Sequence, residues 1–209
     1  MNNTDSLNKQ IKKIAKGYDF FNMIKYRLLK TNPFAKLITV TSVSPKEGRT
    51  FISIGLATVF AMQGERTVIV ETNFESPSLN KFFKLTKDQG GLIDYLSGKS
   101  MIKEVIISTN ISNLSLIPAG RLLETTTSLD EKSIAELIQK LTYQYDKIII
   151  DTSALAVCND SMIMIDKSDV HVLVTKSGTV KYEIIQKYLK KLIERNSKFG
   201  GVIINKYKE

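Results

Sequence analysis

The sequence predicts an α/β fold, a doubly wound and mostly parallel sheet flanked by helices, and three observations carry that expectation. Short β-branched runs alternate with helical patterns along the chain, without internal repeats or low-complexity segments. The first run flows into a phosphate-loop-like turn, Ser42-Val43-Ser44-Pro45-Lys46-Glu47-Gly48-Arg49-Thr50, which opens onto an apolar helical pattern of Phe51, Ile54, Leu56, Ala57, Val59 and Phe60. Two later runs end on carboxylates, Glu71 and Asp151, at the strand ends where open α/β sheets place their ligands.

Taken in order, Ile11, Ile14, Ala15, Tyr18, Phe21, Met23, Ile24 and Leu28 recur at helical spacing and predict a leading amphipathic helix over residues 6–30. Strands are predicted at Leu37 to Val43, Thr67 to Glu71, Leu114 to Ile117, Lys147 to Thr152, Val170 to Thr175 and Gly201 to Asn205. Between them, helices are predicted near Arg49 to Met62, Leu92 to Leu96, Glu131 to Thr142, Ser161 to Ile165 and Lys181 to Glu194. With 209 residues, 43% of them hydrophobic, one domain spanning 1–209 is the economical reading.

Composition excludes several classes. No apolar run approaches the ~20 residues that span a bilayer, and the polar start Met1 to Ser6 does not read as a secretory signal, so a cytoplasmic location is expected. A single cysteine, Cys158, rules out an internal disulfide and reads as a buried or half-buried thiol. His171 alternates along a strand covered on both faces and is expected to be structural, with a hydrogen-bonded ring. A formal charge of +9 favours anionic surroundings, but the lysines are scattered, without a dense basic run, which argues against nucleic acid as a partner.

The loop sets the chemistry. Gly48 lets the backbone approach a phosphate, and the start of the following helix supplies partial positive charge. Thr50 is placed to ligate magnesium, and Glu47, Gly48, Arg49, Thr50 and Phe51 are the candidate nucleotide-contacting residues. Arg49 stands where an active loop has lysine. A guanidinium is larger, planar and suited to two-pronged contacts, so it keeps the charge without the geometry.

Three further segments join the loop: Val68 to Pro77 with Glu71-Thr72-Asn73, Gly90 to Gly98, and Tyr145 to Ser153 followed by Asp160. With the ending Gly201-Val202-Ile203-Ile204-Asn205-Lys206, they resemble the cytoplasmic bacterial tyrosine kinases of capsule and exopolysaccharide systems, the CpsD/CapB type. These are relatives of the MinD/ParA P-loop ATPases, and the likeness covers roughly Phe20 to Lys206. It implies ATP or ADP with Mg2+ as cofactors, Thr50 and Asp151 at the metal, and Glu71, Asn73 and Asp151 at the catalytic carboxylate positions. By the same resemblance, the partner is a membrane-embedded polysaccharide chain-length determinant, or co-polymerase, which the chain meets at the inner face of the cell membrane.

The departures matter as much. Where the family reads Pro-Gly-Glu-Gly-Lys, this chain reads Pro45-Lys46-Glu47-Gly48-Arg49, and the family's Asp-x-Asp is Glu71-Thr72-Asn73. Glu71 is one methylene too long, and the neutral amide of Asn73 cannot take a proton or balance a metal. The family's ring-forming Glu-x-x-Arg-x-x-Arg corresponds to Phe21 through Arg27, where only Arg27 matches; packing of this helix onto the chain's own sheet is the first expectation and a hydrophobic partner surface the second. The ending Lys206-Tyr207-Lys208-Glu209 lacks the family's tyrosine cluster. The expected function is a catalytically impaired, kinase-like regulator of polysaccharide assembly or export, as a homo-oligomer or a hetero-oligomer with an active paralogue. The alternatives are an active ATP-dependent tyrosine kinase and, more weakly, a ParA-like nucleic-acid-binding ATPase.

Overall fold

The computed structural model describes residues 14–86, 89–120, 130–195 and 198–206. Their elements run α1 (Tyr18–Thr31), β1 (Leu37–Ser42), α2 (Arg49–Met62), β2 (Thr67–Glu71), α3 (Leu79–Phe83), α4 (Leu92–Leu96) and α5 (Ile102–Val105). Then follow β3 (Ile107–Ser108), β4 (Leu114–Ile117), α6 (Glu131–Gln144), β5 (Lys147–Asp151), α7 (Asp160–Lys167), β6 (Val170–Lys176), α8 (Tyr182–Arg195) and β7 (Phe199–Asn205). The seven strands form one sheet in the order β3-β4-β2-β5-β1-β6-β7. All neighbours pair in parallel except β3, which runs antiparallel to β4. The predicted fold class holds.

Burial explains the strand patterns. β1, β2 and β5 are buried at every position, as parallel strands covered on both faces must be. Alternate residues serve different layers: Ile38, Val40 and Ile149 pack with α1 and α2, whereas Leu37, Ile148 and Ile150 pack with α6. Helix α2 is buried almost all round, from Ile52 to Ala61, which places it against the sheet and beneath α1.

Helix α1 docks on the chain itself. Phe21, Ile24 and Leu28 are buried, and Phe21 lies so close over Gly55 of α2 that a Cβ there would sit 2.1 Å from its ring. The two apolar residues that replace charges in the ring motif are thus core residues. Met23, assigned to the same apolar face, is instead 45% exposed, because it falls outside the stripe set by Phe21, Ile24 and Leu28. Gly17 interrupts the leading helix with a turn, and residues 6–13 of that prediction, with Ile11, lie outside the described residues, as does the ending Tyr207 to Glu209.

Other expectations need correction. Strand β3 and helices α3 and α5, of two to five residues, were not foreseen. The His171 ring is fully buried beside Phe199 at 5.4 Å, but neither nitrogen has a hydrogen-bond partner, contrary to the bonded ring expected. Its neutral form is favoured by burial, which lowers its pKa to about 4.

Candidate functional site

Strand β5 delivers Asp151 to the start of α2, with its carboxylate shielded from solvent. One oxygen accepts from Thr50 Oγ1 at 2.6 Å, and the other accepts from Ser53 Oγ at 3.1 Å. Thr50 and Ser53 are one turn apart on α2 and therefore face β5 together. Arg49 Nε stands 3.5 Å from Asp151 Oδ1, while its Nη1 donates to Ser42 Oγ at 2.7 Å. Burial lowers the Arg49 pKa against the pull of Asp151, Glu71 and Glu47, and burial raises that of Asp151 against the pull of Arg49 and the Thr50 and Ser53 hydroxyls.

The loop itself is held at both ends. Gly48 adopts φ +98°, and a Cβ there would fall 1.9 Å from Asn205 Nδ2, which donates to the Glu47 carbonyl at 2.8 Å. Only glycine fits that approach. The buried Glu47 carboxylate accepts from the Ser44 amide at 2.7 Å on one side and from Thr175 Oγ1 at 2.9 Å on the other. Lys46 also takes a left-handed φ of 64°, where the resembling family has glycine.

Glu71 and Asn73 are occupied elsewhere. Glu71 Oε1 accepts from the Ser78 and Leu79 amides at 2.5 and 3.1 Å, capping α3, and Oε2 faces the Ala119 amide at 3.4 Å. Burial and the neighbouring Asp151 charge push its pKa up to about 7, despite these hydrogen bonds. Asn73 Nδ2 donates to the Ser76 carbonyl at 2.7 Å, and its Oδ1 accepts from Ser153 Oγ at 3.1 Å, so the amide fastens the loop after β2 to the loop after β5.

A cleft of about 330 Å3 opens over the phosphate-binding loop, lined by Lys46, Gly48, Arg49, Thr50, Phe51 and Asn73 among others. A second cavity of about 610 Å3 shares Lys46, Gly48, Thr50 and Phe51 and extends to Lys81, Phe82, Asn205 and Lys206. Of the candidate residues, Gly48, Arg49, Thr50, Phe51 and Asn73 meet at this cleft. Asp151 lies behind Arg49 and Thr50, while the side chains of Glu47 and Glu71 turn into the framework. Asp160 opens α7, and Cys158 is half-buried, with its pKa raised chiefly by burial.

Sequence reasoning missed Ser42, Ser53, Ser78 and Asn205. Ser53 had a signal, as a hydroxyl on an otherwise apolar helix four residues after Arg49. Ser78, whose Oγ lies 2.9 Å from Thr50 Oγ1, had none.

The comparisons with known proteins agree with this fold. A protein-family model described as an AAA domain matches residues 35–199. Tyrosine-protein kinase CpsD of Streptococcus pneumoniae is 31% identical over 199 residues, which is 95% of this chain and 88% of the relative. Among solved structures, the chimerical protein CapA2B2 superposes with a TM-score of 0.80 at 26% identity, covering 90% of this chain and 84% of that one. The cell division ATPase MinD of Pyrococcus furiosus shares the fold, with a TM-score of 0.70 at 20% identity over 83% of this chain and 73% of its own. With a phosphate-binding loop at the end of β1, a carboxylate at the end of β5 and likeness along nearly its whole length, the chain belongs to the AAA-domain family and, within it, to the CpsD-like bacterial tyrosine-protein kinases.

Proposed function

We propose that this chain is a kinase-like regulator of capsular or exopolysaccharide biosynthesis or export, which binds ADP or ATP and is impaired in phosphoryl transfer to tyrosine. One observation carries the reading: at the three positions where the resembling family places its catalytic carboxylates, none is free. Asp151 is held by Thr50, Ser53 and Arg49, Glu71 caps α3, and Asn73 is neutral. A tyrosine hydroxyl needs a carboxylate within hydrogen-bond reach to take its proton, and the loss of one such electrostatic contact commonly costs on the order of 100-fold in rate.

The phosphates of a nucleotide fit the loop, because Gly48 opens the backbone and the first amides of α2 lack intrahelical partners. Magnesium fits less well. Its two expected protein oxygens, Thr50 Oγ1 and Asp151 Oδ2, are hydrogen-bonded directly to each other, and a guanidinium sits beside the other carboxylate oxygen.

A chain of this kind works at the inner face of the membrane through a membrane-embedded chain-length determinant or co-polymerase, as a homo-oligomer or beside an active paralogue. No helix among the described residues is long and apolar enough to cross a membrane, which fits recruitment by such a partner. The residue types of Thr50 and Asp151, which match the resembling family, favour a second reading, an active ATP-dependent tyrosine kinase.

Phosphotyrosine formation separates the two. With ATP, magnesium and the cytoplasmic tail of the co-polymerase, we expect none above background, and Arg49→Lys with Glu71→Asp and Asn73→Asp to raise it, with Lys46→Gly added if the loop path also matters. Partner-stimulated phosphotyrosine that disappears in Asp151→Ala would establish the active kinase instead.

A further inference from the structure

We infer that Arg49 is a built-in counter-ion to Asp151 that takes the place of magnesium, so that this cleft holds a nucleoside diphosphate without a divalent metal. The inference rests on the nucleotide-binding part of the proposed function and specifies how that site is charged.

Three observations support it. First, Asp151 has its charge balanced from within: Arg49 Nε lies 3.5 Å from Oδ1, and both carboxylate oxygens already accept hydroxyl hydrogen bonds. A metal arriving at this carboxylate must compete with a resident cation that cannot leave the chain. Second, the guanidinium is incompletely satisfied. Arg49 is only 8% exposed, its Nη1 is anchored on Ser42, and its Nε has no hydrogen-bond partner despite the nearby carboxylate. The anionic oxygen that faces this buried N–H is Asp151 Oδ1, so the charge of the guanidinium is spent on that carboxylate. Guanidinium groups suit carboxylate oxygens in this role, since their planar fork offers several donors at once.

Third, the charge that a metal would normally bring is present in the walls. Lys46 borders both cavities from the loop itself, and Lys81 and Lys206 border the larger one. The lysine placed where the resembling family has glycine thus adds a cation beside the phosphate-binding amides. With Arg49 committed to Asp151, these lysines face a ligand that carries its full negative charge. The same placement withdraws the metal-organising carboxylate from the chemistry.

The test is calorimetric titration of the full chain with ADP in excess magnesium and in excess EDTA. We expect the two dissociation constants to agree within about threefold. Inorganic pyrophosphate in EDTA should displace ADP, because the diphosphate carries the charge that the loop amides and Lys46 meet. Arg49→Lys should weaken ADP binding in EDTA by about tenfold or more, and magnesium should restore it, since the shorter ammonium releases Asp151. If the wild-type affinity falls by about tenfold or more in EDTA, Arg49 does not replace the metal and the inference is wrong. Absence of ADP binding in both conditions, or failure of pyrophosphate to compete, overturns it as well. Partner-stimulated phosphotyrosine would instead overturn the impaired-kinase reading alone. The wild-type measurements decide the matter even if Arg49→Lys fails to fold.

Discussion

Glu71 and Asp151 end neighbouring strands in register, with Glu71 directly opposite Asp151, yet they serve different parts of the molecule. Asp151 reaches forward to the first turn of α2 and collects Thr50, Ser53 and Arg49. Glu71, with one more methylene, bends toward the backbone that follows its own strand and caps α3 through the Ser78 and Leu79 amides. One carboxylate is satisfied by a cation and hydroxyls, the other by neutral amides. The difference is that neighbouring strand-end carboxylates of unequal length hold different elements, one the start of α2 and the other the start of α3.

The comparison breaks most visibly if Asp151 is removed. Asp151→Ala leaves the Arg49 guanidinium buried without its carboxylate, which commonly costs about 3–5 kcal/mol. Urea denaturation should show that loss. A change below about 1 kcal/mol would mean that Arg49 swings out to water when unpaired and that the pair is incidental to the fold.

The amide-bound partner should differ in its pH response. Glu71 has a folded pKa of about 7 against an ordinary value of 4.5, so the folded state binds the proton more tightly. Stability should therefore fall as pH rises from about 4.5 to 7 and stay level above, with a full penalty of roughly 3 kcal/mol. Glu71→Gln keeps one oxygen for the Ser78 and Leu79 amides and removes the titration. Measured at pH 5 and pH 8, the variant should gain most over the wild type at pH 8. A difference that does not vary with pH would show that Glu71 titrates normally and is not a strongly desolvated acid.

The smallest effect sharpens the loop side. Lys46 pays for a left-handed backbone of φ 64°, so Lys46→Gly should stabilise the chain by up to about 1 kcal/mol, partly offset by the freer unfolded state. A clear destabilisation in thermal melts would show that the lysine side chain itself holds the loop.

Legibility in the sequence did not follow length alone, since α4 was foreseen and α3, also of five residues, was not. Helices α2 and α4 and strands β2 and β4 fall where periodicity placed them, because burial on one or both faces writes itself into the spacing of apolar residues. The short elements α3, α5 and β3 left no such trace, and α3 is the one that captures Glu71. At the site, Gly48 and the strand-end carboxylates were recognisable as types in order. Their partners came from distant segments: Asn205 is 158 positions from the Glu47 carbonyl that it bonds, and Ser153 is 80 from Asn73.

The sequence by itself determined the fold class, the position of the phosphate-binding loop and the residue types there and at the end of β2, because these are matters of residue type and local spacing. The tertiary structure alone decided that Phe21 and Ile24 pack onto α2, that Glu71 caps a helix and that Arg49 turns inward to Asp151. A side chain's charge is fixed by its chemistry. Which oxygen or amide it meets depends on segments that approach one another only when the sheet is assembled, and at a buried site that encounter determines whether a carboxylate is available for chemistry.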